Sequence, residues 1–593
     1  MIRAASAKPL CRFTALWTLS LLGGSRAWAA PPDNQPTSTP ASQAAAVPEL
    51  SYTVELLPGL PRSVRITLAT QAPHTGDYVL AAQPHWGGQQ NAEREIHDLR
   101  VRGAAGRLLS ATPDAQAPHR FRINAAPDEP LQAQWELRAG DEDRLAAGGN
   151  VYRPILRDDL FHWIPEIGLL VPDWCDDEQP ATIQLHWRGF DQPGWTVVSS
   201  FGVGTESRTL RTTPGAFRHG IFVAGHIRVE QRDIRGGRLA VATYGTDWDF
   251  NDPDWADLVE KVVRVEREFF NDFSDEFFLV TLVPSGQRNP NSISLGGTGL
   301  TNAFALFSLP GLSFAENGPY RGRVLHLLAH EYFHNWNGDR IRRAEPEELL
   351  YWFSEGFTDF YAARLLYNAG LQTAEQWLGQ TNADLRTYWL SPVRNESAER
   401  IRQDFWKSSD VRDLPYKRGS AVALAIDWEI RRRTDGKKSL DDLMRELLAA
   451  ARAGEKVSPD NLMSRIAKWT SADFAGRIRA VVEQGATLEL PHDLFSPALT
   501  FDMCESAPFT PGFDVDASVK DKKIQGVAAG STAERAGLRD GQAVLGASIY
   551  TGNTDKPIKI KISDDGGTRE IEFLPRGPVT RIPCLRMEKP PKF

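Results

Sequence analysis

His330 and His334 stand four residues apart in Ala329-His330-Glu331-Tyr332-Phe333-His334-Asn335, with a glutamate directly after the first of them. On a helix this spacing puts both imidazoles on one face, about 6 Å apart along the axis and within reach of one metal ion. Glu331 is rotated away from that pair, so it is free to take a proton from a water that the metal activates. Ligand and base are thus separated, as a zinc hydrolase requires. Val324, Leu325, Leu327, Leu328 and Ala329 make the preceding turns apolar. Such a helix belongs in an interior, where two histidines and a glutamate need partners. His326, one turn earlier on the same side, is read as a packing residue or a support for the ligands.

The third ligand is expected from a second apolar helix, Tyr351-Trp352-Phe353-Ser354-Glu355-Gly356-Phe357-Thr358-Asp359. Glu355 offers the anionic oxygen that completes a two-His, one-Glu set and leaves the fourth zinc position open. Asp359, one turn further, faces the same way and is placed to accept the free ring N–H of a ligating histidine. Trp352, Phe353, Phe357, Phe360 and Tyr361 crowd this helix, so its carboxylates do more than solvate a surface. One zinc ion per chain is the expected cofactor.

These segments resemble the gluzincin metallopeptidases and, within them, the M61 glycyl aminopeptidase family more closely than the M1 aminopeptidases. The likeness rests on the phrases His-Glu-Tyr-Phe-His-Asn-Trp-Asn and Trp-Phe-Ser-Glu-Gly-Phe-Thr, and on the twenty residues between His334 and Glu355. It implies that His330, His334 and Glu355 bind zinc and that Glu331 is the general base. Pro415-Tyr416-Lys417-Arg418-Gly419 is similar to the Tyr-x-x-Gly element that opens a helix in both families. That resemblance gives Tyr416 the task of steadying the oxyanion. A phenol with a pKa of about 10 stays protonated at neutral pH and can donate to a developing negative oxygen.

One stretch departs from the pattern. In both families a glycine-rich edge strand ahead of the zinc helix ends in an acid that holds the substrate's free amino terminus. Here Ser294 to Asn302 reads Ser-Leu-Gly-Gly-Thr-Gly-Leu-Thr-Asn, with Gly299 where the M61 glutamate would fall. Gly296, Gly297, Thr298 and Gly299 are expected to bind substrate backbone as an added strand. An ammonium group loses its anionic partner there unless another carboxylate, such as Glu316, supplies the charge. Endopeptidase action or cleavage of N-blocked peptides therefore stands beside aminopeptidase action.

The elements around this site predict a multidomain α+β chain. Met1 to Ala29 reads as a secretory signal peptide: Arg3, Lys8 and Arg12 precede an apolar run, and Ala27-Trp28-Ala29 offers a cleavage site. Residues 30–48, rich in Pro, Ala, Ser and Thr, read as a flexible leader. Short alternating segments such as Tyr52 to Leu56, Val64 to Leu68 and Leu131 to Trp135 predict an N-terminal β-sandwich over 49–200. A thermolysin-like zinc domain follows over 201–370. An α-helical subdomain is assigned to 371–500, with helices from Ser420 to Arg433 and Leu440 to Ala451, the latter opened by a Ser439–Asp442 capping box.

Residues 501–593 form a separate module. Ile524 to Gly541 resembles the Gly-Ser-x-Ala-x-x-Ala-Gly-Leu-x-x-Gly run of bacterial PDZ domains, which implies a C-terminal PDZ-like β domain with a peptide as its ligand. Cys504 and Cys584 bracket it, and a disulfide between them would clasp its ends; Cys175 would remain buried and reduced. The net charge of −8 carries no basic block, which speaks against nucleic acid as a partner. Past the leader no stretch reaches about eighteen apolar residues, so no membrane span is expected.

Two functional classes follow. The first is an exported zinc peptidase, periplasmic or secreted, acting on peptides or proteins. The second is a peptide-binding or chaperone-like PDZ protein with a non-catalytic zinc site. The intact base at Glu331 favours the first.

Overall fold

The computed structural model describes residues 47–59, 62–140, 143–146, 151–288, 294–315, 320–491, 498–550, 552–564 and 567–591. The expected signal peptide, almost all of the leader and Glu316 lie outside the described residues. The chain divides into two compact units, one ending at Tyr332 and the other beginning at Phe333.

In the first unit, strict alternation drives the sheets. Leu50, Tyr52, Val54 and Leu56 of the strand Glu49–Leu56 are buried while the residues between them are not. This strand runs parallel to Ala181–Arg188 and antiparallel to Ser63–Gln71, near the middle of a seven-stranded sheet. A four-stranded sheet shares its core: Leu80, Ile123 and Val171 belong to one apolar cluster with Tyr52, Ile66 and Trp135. The segments expected as strands at 52–56, 64–68 and 131–135 fall within observed strands.

A second cluster in this unit joins Leu160 and Ile164, on and just past the strand Leu160–Trp163, to the sheet described next. His162 points into the same region, edge-on to Phe307 with ring centroids 5.3 Å apart, and neither ring nitrogen has a hydrogen-bond partner. Burial pushes its pKa down from 6.5 to about 4. The unfolded chain therefore binds a proton between these values that the folded chain does not, and stability falls as pH drops through that window. The full span from 6.5 to about 4 corresponds to roughly 3 kcal/mol. We expect His162→Phe to flatten the acid limb of a urea-denaturation series between pH 6.5 and 4; an unchanged limb would rule His162 out as its source.

The sheet that positions the chemistry contains β1 (Ile227–Ile234), β2 (Gly237–Tyr244), β3 (Phe277–Pro284), β4 (Leu295–Leu300) and β5 (Ala303–Ser308), in the order β1-β2-β3-β5-β4. β2, β3 and β5 are parallel, and β4 turns back antiparallel to β5 to form an edge. Between β2 and β3 lies α1 (Asp252–Phe270), capped where the Asn251 side chain accepts from the Asp254 N–H. The helix α2 (Arg321–Phe333) follows β5. Arg267 on α1 donates from Nε to the Tyr332 hydroxyl at 2.8 Å and fastens α1 to α2.

The second unit is mainly helical. It opens with α3 (Tyr351–Asn368), α4 (Ala374–Leu390) and α5 (Ser409–Arg433). α5 begins well before the expected Ser420, because Ser408 caps it by accepting from the Val411 N–H and Pro415 is taken into its interior. Tyr416 consequently lies inside this helix and does not open it. The helix Leu440–Arg452 carries the Ser439–Asp442 capping box as expected.

Further along, β6 (Leu499–Ser506) and β7 (Thr580–Met587) pair antiparallel and bracket a three-stranded sheet with its own core of Ile524, Leu538, Ile560, Ile562 and Ile571. Cys504 and Cys584 form a disulfide across the pair, with Cα atoms 5.9 Å apart, and Cys175 is buried and free. No helix among the described residues is long and apolar enough to cross a membrane.

Candidate active site

The apolar face of α2 is buried, and it takes His330 and Glu331 inside with it, at 1% and 5% exposure. The α-helix itself ends at Phe333, so His334 stands in the turn that follows and not within the last helical turn. Its imidazole is nonetheless held: Nδ1 lies 3.1 Å from the Asn337 carbonyl oxygen. That carbonyl can only accept, so Nδ1 carries the proton and Nε2 presents a lone pair. Nε2 is 3.4 Å from Oε2 of Glu355.

One ligand atom from each of His330, His334 and Glu355 lies within 4.8 Å of the other two. Tetrahedral zinc with bonds of roughly 2.0–2.1 Å sets its ligand atoms about 3.3 Å apart. The spacing of His334 and Glu355 matches one edge of that tetrahedron, and two neutral imidazoles with one carboxylate are a donor set that zinc accepts. The residues fit the metal.

Asn337, which the sequence reading passed over, anchors this turn. Fully buried, it donates from Nδ2 to the carbonyl oxygens of Phe353 and Ser354 and to the Thr358 hydroxyl, each at 3.1 Å. It thereby fixes the turn that carries His334 to the first turns of α3, where Glu355 sits. Glu355 also accepts from the Ser354 hydroxyl at 3.3 Å.

Glu331 is fastened from the other side. Its Oε2 accepts the backbone N–H of Gly299 on β4 at 3.0 Å. A Cβ built on Gly299 would stand 3.3 Å from that same oxygen, so a side chain at this position would point at Glu331. This is the position where the resembled families carry their acid, and β4 contains no acid. The Tyr152 hydroxyl donates to the Gly297 carbonyl oxygen at 3.2 Å and steadies the strand. Burial raises the Tyr152 pKa, with the Glu331 charge adding to the shift, so Tyr152 stays a donor.

Asp359 contributes an oxygen to a second group of close ligand atoms, with His326 and His330, again within 4.8 Å of one another. Asp359 is paired with Lys417, whose Nζ is 3.0 Å from Asp359 Oδ2 and 2.9 Å from Oδ1 of Asp384 on α4. Burial alone would discharge Lys417, but the two carboxylates outweigh it and raise its pKa.

Tyr416, the residue before Lys417, is buried at 7% exposure on α5. One turn on, Gly419 meets Gly356 of α3, the residue after Glu355, so the two helices touch backbone to backbone. Sequence reasoning also missed Glu266 on α1. It is wholly buried, and neither carboxylate oxygen has a hydrogen-bond partner. Burial drives its pKa well up, with the His330 imidazole the charge that opposes this.

Comparison with known proteins agrees with this geometry. Residues 323–413, which span both candidate metal-binding segments, match the family model of the M61 glycyl aminopeptidases. By class, the chain is a zinc metallopeptidase. The M61 likeness read from its motifs is borne out over that stretch. No curated protein matches the chain. Among solved structures, an aminopeptidase N family protein from Idiomarina loihiensis superimposes with a TM-score of 0.67 at 16% identity, over 91% of this chain and 98% of that one. At that identity the likeness speaks for the fold, a multidomain α+β architecture. An M1 zinc metallopeptidase from Deinococcus radiodurans aligns over 75% of this chain and 95% of its own, with a TM-score of 0.45 at 17% identity.

Proposed function

We propose that the chain is an exported peptidase that hydrolyses peptide bonds at the His330–His334–Glu355 centre, with Glu331 as general base and Tyr416 as oxyanion donor. The observation that carries this reading is the close ligand group with a carboxylate beside it that is tied to an edge strand and is not needed as a ligand. Zinc held there supplies a Lewis acid that polarises the scissile carbonyl and makes a water acidic enough to lose a proton near neutral pH.

The side chains then divide the work. Glu331, aimed by the Gly299 N–H, takes the proton of the attacking water and passes it to the leaving amine. Tyr416 donates to the oxygen that gains charge in the tetrahedral state. Gly296, Gly297, Thr298 and Gly299 offer an edge on which the substrate backbone can lie as an added strand. Asp359, held by Lys417, supports the histidines from behind. We expect Tyr416→Phe to lower kcat about 100-fold with zinc content unchanged, since one oxyanion donor is worth that much. A kcat within twofold of wild type would remove Tyr416 from the mechanism.

With glycine at 299, the reading favours cuts inside peptides or in N-blocked peptides over removal of single N-terminal residues. Incubating the zinc-loaded protein with matched free and acetylated peptides, followed by mass spectrometry, decides the matter. Internal cuts in both support it. Stepwise loss from the free peptide alone would mean that another group holds the ammonium, and no cleavage of either would sink the peptidase reading. The signal-like N-terminal sequence and the Cys504–Cys584 disulfide support export to an oxidising compartment. The C-terminal module is read as PDZ-like from its Gly-Ser-Thr-Ala-Glu-Arg-Ala-Gly-Leu run, in which Ser531 caps a short helix.

A further inference from the structure

A groove of about 540 Å³ runs between the end of α4 and β7 and lies apart from the proposed catalytic residues. Its apolar lining includes Trp389, Leu390, Met503 and Ile582; Met503 is 42% exposed, unusual for a methionine on a strand. Two arginines, Arg394 and Arg581, line it as well. Arg394 donates to the Trp389 carbonyl at 2.6 Å and Arg581 to the Met503 carbonyl at 3.2 Å, and among the described residues neither forms an ion pair. The Trp389 indole N–H is buried with no acceptor.

The strand that borders the groove turns backbone groups outward there, and at Arg581 and Pro583 these have no backbone partner among the described residues. Asn382 on α4 accepts from the Leu585 N–H at 2.7 Å and donates to the Leu585 carbonyl at 2.9 Å, so both backbone groups of Leu585 face away from β6. Groups two residues apart on a strand point the same way. The Pro583 carbonyl and the N–H and carbonyl of Arg581 therefore face outward as well, and among the described residues β7 pairs with β6 alone. Pro583 sits where β6 requires no N–H, which explains how a proline is tolerated in the middle of this strand.

We propose that this groove binds an extended segment of the polypeptide substrate that carries carboxylates. The segment adds as a strand to the outer edge of β7, with its apolar side chains on Trp389 and Met503 and its acids on Arg394 and Arg581. The proposal rests on the peptidase reading for the word substrate, but the site stands on its own geometry. Along α4, Trp389 is five residues from Asp384, the partner of Lys417, or about 7.5 Å of helix. A segment in the groove is thus anchored on the same rigid helix that braces the support of the metal centre.

The test uses the full chain as Glu331→Gln, so that nothing is cut, and a fluorescein-labelled peptide about ten residues long in which valine and threonine alternate with glutamate. Fluorescence anisotropy should show binding that weakens about tenfold in R394E/R581E and about tenfold in wild-type surroundings when alternate peptide amides are N-methylated. The second change leaves the protein untouched, so misfolding cannot imitate it. With active enzyme, R394E/R581E should raise KM for a long acidic peptide about tenfold and leave kcat/KM for a short neutral peptide unchanged. Equal binding of the acidic peptide, its Gln-for-Glu counterpart and its N-methylated form, or no binding, overturns the groove proposal. Cleavage of short peptides would then still uphold the peptidase reading, whereas tight binding without any cleavage by active-site-intact protein would uphold the groove and refute the peptidase.

Discussion

Glu331→Gln should lower peptide hydrolysis by roughly 10²–10⁴-fold, the usual worth of a positioned general base, while zinc binds almost as before. Glutamine keeps the size of the side chain, and its amide oxygen can still accept the Gly299 N–H that now holds Oε2 at 3.0 Å. What it lacks is a lone pair basic enough to accept a proton. The three ligand atoms belong to other residues, so the metal site keeps its donor set. Two measurements on the same preparation check this: turnover of a quenched peptide, and zinc affinity by competition with a chelator. Loss of both together would make Glu331 part of the metal site, and loss of neither would refute the base. His334→Ala is the contrast, because it removes a proposed ligand and should cost zinc and turnover alike.

The candidate metal centre is legible because its information is local. Two histidines four apart and a glutamate in the next apolar helix announce themselves by spacing, and the burial of α2 and α3 follows from their run of large apolar residues. The strands of the first unit were legible for a similar reason, since alternation such as that of Leu50, Tyr52, Val54 and Leu56 needs only nearest neighbours. Contacts between distant segments were not. Nothing in a single asparagine shows that Asn337 will tie three groups of α3 to the turn of His334. The pairing of Lys417 with both Asp359 and Asp384 depends on how α3, α4 and α5 meet. His162 and Glu266 read as ordinary members of a strand and a helix until packing strips their solvent away. The start of α5 was misplaced because Pro415 looks like a boundary, and the stronger signal, the Ser408 cap, lies seven residues earlier.

Gly419→Ala should unfold or loosen the second unit, although the change lies within a helix, where alanine is intrinsically better than glycine by about 1 kcal/mol. The close approach of α3 and α5 outweighs that gain. A Cβ at Gly419 would overlap the Trp352 carbonyl oxygen and stand 2.8 Å from the Gly356 Cα. The reciprocal change fares no better, because a Cβ at Gly356 would overlap the Gly419 Cα and lie 2.8 Å from the Ser420 nitrogen. In both cases the obstacle is backbone, which has no rotamer to yield, so the helices must part. Overpacking of this kind costs about 1–3 kcal/mol, more where nothing can relax. The separation reaches the proposed site: Gly356 follows Glu355 and Gly419 is one turn past Tyr416, so the proposed ligand and the proposed oxyanion donor ride on the two helices that must part. Gly379 on α4 supplies the control, since nothing lies within 4 Å of a Cβ built there. Gly379→Ala should hold or raise the melting temperature, while Gly419→Ala and Gly356→Ala lower it and weaken zinc binding together. If all three behaved alike, the two glycines would be ordinary helix residues and the close approach of α3 and α5 would not limit what stands there.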